Sequence, residues 1–103
     1  MCGIAGIYRQ IGAVETSMLS SMISILHHRG PDHQDTLCEG LLGLAHSRLS
    51  IIDLTGGDQP FISESDSLVL VANGEIYNHI ELRADLQAQG RQWYRGQLWP
   101  WLL

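Results

Sequence analysis

Met1-Cys2-Gly3-Ile4-Ala5-Gly6-Ile7-Tyr8 opens the chain, and the fold hangs on how these eight residues are read. Ile4, Ala5 and Ile7 are apolar and the glycines allow close backbone approach, so residues 3–8 read as a short buried strand starting almost at the terminus. Cys2 stands directly before that strand. An initiator Met ahead of a small residue is removable, and its removal would leave a cysteine with a free α-amine. Such an amine, with an ordinary pKa of about 7.7–8.0, can take the thiol proton directly or through a water. Base and nucleophile would then sit on one residue. The alternative is that a second-position cysteine merely marks a strand start.

Past this strand, Met18, Leu19, Met22, Ile23 and Leu26 recur at helical spacing and predict an amphipathic helix over residues 15–27, with Thr16 or Ser17 near its start. His28-Arg29-Gly30-Pro31-Asp32 is polar and rich in breakers, hence a loop. Short strands are predicted at 36–39, 42–46 and 49–53, followed by a second loop at Gly56-Gly57-Asp58-Gln59-Pro60. Residues 67–72 form a β-type run ending at Asn73-Gly74, a dipeptide suited to positive φ and a sharp turn. Asn78 precedes a helix to about residue 89, with Glu81 in the capping-box position and Gly90 as the stop. The order strand, helix, several strands, helix lacks regular βαβ spacing. It favours a mixed α/β sheet over a doubly wound one.

A chain of 103 residues is one small domain. With 45% hydrophobic residues and no apolar run near the roughly 18 residues of a membrane span, a transmembrane protein is excluded. No basic segment leads into an apolar stretch at the N-terminus, so a cytoplasmic chain without a signal peptide is expected. The net charge is −5, and the absence of a basic patch argues against nucleic acid. Cys2 and Cys38 make no disulfide framework, and Cys38 is expected as a small core residue. Residues 1–90 hold four arginines and all eleven acids, whereas residues 91–103 hold Arg91, Arg95, Trp93, Tyr94, Trp99 and Trp101 and no acid. The domain is therefore expected over 1–90, with 91–103 as a divergent Arg/Trp-rich tail.

Arg48 lies within a largely apolar run and needs a partner. It could pair with Asp53 or another acid, or it could grip the carboxylate of a small ligand through its bidentate fork. Asn73-Gly74-Glu75 is either a simple turn or a pair of donors for an oxyanion. The five histidines, at 27, 28, 33, 46 and 79, lack metal-ligand spacing, so no metal site is expected. No glycine-rich phosphate loop is present.

Met1-Cys2-Gly3-Ile4-Ala5-Gly6-Ile7, His28-Arg29-Gly30-Pro31-Asp32, Arg48-Leu49-Ser50-Ile51-Ile52-Asp53-Leu54, Gly56-Gly57-Asp58-Gln59-Pro60 and Asn73-Gly74-Glu75-Ile76-Tyr77-Asn78, taken in this order, resemble the N-terminal half of a class II glutamine amidotransferase domain. The Arg-Gly-Pro-Asp and Asn-Gly-Glu-Ile-Tyr-Asn forms look most like glutamine-hydrolysing asparagine synthetase. The resemblance implies an N-terminal-nucleophile fold, an αββα sandwich, of which this chain holds the first half only. It implies that Cys2 attacks the side-chain amide of glutamine, that Arg48 holds the substrate α-carboxylate, and that the backbone of Leu49, Ser50, Ile51 and Ile52 lines the pocket. Asn73 and Gly74 would form the oxyanion hole, and Glu75 would help hold the α-amino end. ATP and magnesium are implied only for an absent synthetase domain, and no cofactor for this chain. The family's Ser/Thr-Asp-Thr-Glu segment, whose Asp binds the substrate amine, is also missing, so the isolated chain is expected to be inactive. A second reading is a truncated or frameshifted remnant that at most binds a full-length homologue.

Overall fold

Residues 1–50, 58–63 and 68–91 are described by a computed structural model. Seven elements run in the order β1 (Gly3–Tyr8), α1 (Thr16–Ile25), β2 (His33–Glu39), β3 (Leu42–Arg48), β4 (Phe61–Ile62), β5 (Val69–Leu70) and α2 (His79–Ala88). The result is a small α+β structure. All its strand pairs are antiparallel: a three-stranded sheet in the order β1-β3-β2 and a two-stranded sheet of β4 and β5.

β3 lies at the centre of the larger sheet and pairs from Gly3↔Ser47 to Tyr8↔Leu42 on one side, and from His33↔Arg48 to Glu39↔Leu42 on the other. Because side chains alternate across a strand, β3 sends Gly43, Ala45 and Ser47 to one face and Leu44, His46 and Arg48 to the other. The first face is small-residued, so α1 can settle close to it. Leu19 and Ile23, four residues apart on α1, are buried there with Val14 and Ala45, and Ala5, Ile7, Leu26 and Cys38 pack around them. Cys38 is thus only partly buried, on the margin of the core rather than inside it.

Several expectations shift. α1 is shorter than the 15–27 spacing suggests, and neither Thr16 nor Ser17 caps it: the cap position is Glu15, without a side-chain hydrogen bond. The Thr16 hydroxyl points instead at the Cys38 sulfur, 3.8 Å away. β2 begins at His33, three residues earlier than predicted, because an edge strand tolerates the exposed polar run His33-Gln34-Asp35 that hides its period. β3 continues through Ser47 and Arg48. Of the strand predicted at 49–53, Leu49 and Ser50 are outside regular structure and 51–53 lie outside the described residues. The expected β-type run at 67–72 contracts to Val69–Leu70, with Ser67 outside the described residues.

At α2 the capping box does not form, since Asn78 occupies the cap position without a side-chain bond and Glu81 contributes only a negative charge in the first turn. The stop is as expected. Gly90 adopts φ +81, its N–H reaches the Gln87 carbonyl at 3.0 Å and the Arg91 N–H reaches Leu86 at 3.0 Å. These two bonds are the Schellman pattern, which needs a left-handed residue at that position. No residue of α2 is fully buried. Among the described residues no helix is long and apolar enough to cross a membrane.

Candidate active site

The carboxyl end of β3 carries the site. Cys2, one residue before the Gly3↔Ser47 pair, comes beside the end of β3 and is only 4% exposed. Its sulfur accepts from the Leu49 N–H at 3.4 Å and lies 4.0 Å from the Leu49 carbonyl. Arg48, 1% exposed, projects from the same strand end, and its Nη1 donates to Asp58 Oδ1 at 2.9 Å. Among the described residues the acid partner of Arg48 is thus Asp58, from the second loop; Asp53 lies outside them.

The loop after α1 holds this end of the sheet together. Arg29 Nε donates to the Cys2 carbonyl at 3.2 Å, fixing the backbone that carries the thiol. Gly30 lies so close to the backbone of Ser47 and Arg48 that a Cβ there would overlap it, which explains the glycine. The buried Ser47 hydroxyl donates to the Gly30 carbonyl and accepts from Gln34 Nε2 at 3.0 Å. Asp32 then clasps the exit of β3 from both sides: its N–H donates to the Arg48 carbonyl at 3.0 Å, and its Oδ2 accepts the Ser50 N–H at 2.6 Å. Cys2, Arg48, Leu49 and Ser50 are brought together by this loop.

Asn73, Gly74 and Glu75 are exposed, and among the described residues none of them hydrogen-bonds to Cys2 or Arg48. Gly74 does not take the positive φ that Asn-Gly suggested; the chain there is an open bend. One side chain carries this segment toward the site. The amide of Gln59, buried to 1% exposure, donates to the Ala72 carbonyl at 3.1 Å and accepts the Ala72 N–H at 2.6 Å, as a neighbouring strand would. Ile51 and Ile52 lie outside the described residues.

His46 is fully buried on the Arg48 face of β3, and neither ring nitrogen reaches a hydrogen-bond partner. Burial pushes its pKa below 6.5; the backbone of Ala72 opposes the shift without meeting hydrogen-bond geometry, and the positive Arg48 reinforces it. Among the described residues no group of three His, Cys, Asp or Glu side chains is placed to hold a metal ion.

The arrangement is a buried thiol at the chain start, a backbone donor on its sulfur and a buried arginine at the end of the neighbouring strand. It coincides with a match of residues 1–97 to the family described as the glutamine amidotransferase domain. The chain belongs to that family. The amidotransferase domain is 47% identical over 92 residues to an asparagine synthetase [glutamine-hydrolyzing] of Zea mays, covering 84% of this chain and 15% of the relative. It is 41% identical over 90 residues to asparagine synthetase [glutamine-hydrolyzing] 2 of Bacillus subtilis, and 40% over 99 residues to a probable asparagine synthetase [glutamine-hydrolyzing] of Dictyostelium discoideum. These matches cover 84% and 92% of this chain but 12% and 17% of the relatives. The chain therefore spans about 15% of the length of the curated relatives it matches, and it is homologous to their glutamine-amidotransferase part.

Sequence reasoning singled out Cys2 and Arg48, which the structure brings to one end of the sheet, but read Arg29, Asp32 and Gln59 only as loop residues. An arginine and an aspartate bracketing Gly-Pro between a helix and a strand were the available signal for the first two. Gln59 left none, because burial of an amide in a loop has no periodic signature.

Proposed function

We propose that this domain performs the glutaminase half-reaction of an asparagine synthetase-like enzyme. The observation that carries the reading is the buried Cys2 sulfur held at 3.4 Å from the N–H of Leu49, the residue that follows the buried Arg48. With Met1 removed, the α-amine takes the thiol proton and the sulfur attacks the side-chain carbonyl carbon of glutamine. Asn73 and the Gly74 N–H stabilise the tetrahedral oxyanion, ammonia leaves as the thioester forms, and water then releases glutamate and restores the thiol. Arg48 holds the α-carboxylate, Leu49, Ser50, Ile51 and Ile52 line the pocket, and Glu75 serves the α-amino end. ATP and magnesium belong to the proposed synthetase part, and no step of this half-reaction runs through them.

The complete fold is proposed to be the αββα sandwich. The sheet face opposite α1 supports this, because Ile4, Tyr8 and Leu42 are exposed on it and a second sheet would cover them. The same face supports the second reading, in which the chain is non-catalytic and binds a full-length homologue through it. Intact mass before and after an electrophilic glutamine analogue separates the two. The proposed function requires loss of Met1 and one adduct on Cys2 that excess glutamine blocks and Cys2→Ala abolishes. Equal labelling of Cys2 and Cys38 without glutamine protection defeats it.

A further inference from the structure

We infer that Asp58 is a displaceable counter-ion seated where the substrate carboxylate binds, and that it sets how tightly this domain takes glutamine. The inference rests on the reading of Arg48 as the carboxylate clamp. The Arg48–Asp58 pair is unequal. Arg48 is 1% exposed and fixed by a strand whose exit Asp32 clasps, whereas the Asp58 side chain is 52% exposed. A buried guanidinium is costly without a counter-charge, and among the described residues Asp58 Oδ1, 2.9 Å from Nη1, supplies one. The group it presents is the group the α-carboxylate of glutamine would present to the same nitrogen.

Two carboxylates on one guanidinium repel each other, so substrate entry requires Asp58 to give up Nη1 or share it. Moving it is cheap. The neighbouring Gln59 is anchored to Ala72 by two hydrogen bonds, so the backbone can stay in place while the half-exposed carboxylate turns into water. Arg48 needs no such movement and stays aimed at the pocket. Asp58 thereby discriminates among ligands: a carboxylate strong enough to displace it gains Arg48, and a neutral amide gains nothing.

The test uses the full 103-residue chain with Met1 removed. The rate of adduct formation on Cys2 is followed by intact mass with three reagents: a diazoketone analogue of glutamine, its α-carboxamide counterpart, and iodoacetamide. Asp58→Asn is expected to raise the second-order rate with the carboxylate reagent by roughly 1.5- to fivefold, the range open to a partly exposed ion pair. The saturated rate and the rates with the other two reagents should stay within error. A rate with the carboxylate reagent that is unchanged or lower would make Asp58 a support for Arg48 and overturn the inference, as would acceleration of all three reagents. Asp58→Ser repeats the measurement without a side chain able to reach Nη1, and must change the rates in the same direction. Failure of the inference is distinct from failure of the proposed function. The first leaves wild-type labelling blocked by glutamine, while the second abolishes that protection and takes the inference with it.

Discussion

The three-stranded sheet with α1 and the two-stranded sheet with α2 are built to different standards. In the first, Leu19 and Ile23 are sealed against Ala45, and a polar clasp from Arg29 to Asp32 locks the strand end that bears Cys2 and Arg48. In the second, the strands are two residues each, no α2 residue is fully buried, and Asn73-Gly74 reaches the site region through the single amide of Gln59. The proposed nucleophile and clamp therefore come with the local fold, while the proposed oxyanion donors depend on a long-range tie. A site can be half preorganised, and the half that is rigid is the one resting on a sealed core.

The sharpest way to break this contrast is to truncate matching leucines. Leu19→Ala should cost about 2–5 kcal/mol in chemical denaturation, whereas Leu86→Ala in α2 should cost under about 1 kcal/mol. Equal losses would mean that α2 belongs to the same cooperative unit. Gly30→Ala should follow, at up to about 3 kcal/mol, because the added methyl meets the Ser47–Arg48 backbone, which has no room to yield. Its thiol labelling should lose selectivity for Cys2 over Cys38. Gln59→Ala should cost about 1–2 kcal/mol and, more tellingly, speed hydrogen exchange at the Ala72 amide while leaving that of Ala45 alone.

The smallest effect is a pH dependence. The folded state holds His46 below its unfolded pKa of 6.5, so the unfolded chain binds the extra proton and stability falls as pH drops from above 6.5 toward the folded value. Above 6.5 this contribution is flat. His46→Gln should remove that part of the slope between pH 7 and pH 5.5 in urea titrations, and an unchanged slope would assign it to other groups.

Much of the first region was legible in the chain because burial and period coincide there. The alternation in Gly3–Tyr8 and Leu42–Arg48 and the Leu19–Ile23 spacing mark the faces that pack. β2 was legible only in its second half, since His33, Gln34 and Asp35 are polar and carry no hydrophobic signal. Pattern also misled where geometry is decided at long range. Asn73-Gly74 has the composition of a tight positive-φ turn, yet Gln59, fourteen residues earlier, holds the adjoining backbone and an ordinary bend suffices. Asp58 could not be paired with Arg48 from spacing alone, because ten residues of connection separate them.

The bond from Arg29 to Cys2 also bears on maturation. It grips the carbonyl of Cys2, and the sheet's ladder starts at Gly3, so among the described residues Met1, which is 73% exposed, has no hydrogen bond. An aminopeptidase would find its substrate already presented on a finished surface, and cleavage would convert an inert amide nitrogen into a proton acceptor without shifting a strand. Activation by trimming would then be a change of chemistry at one atom, with the architecture assembled beforehand.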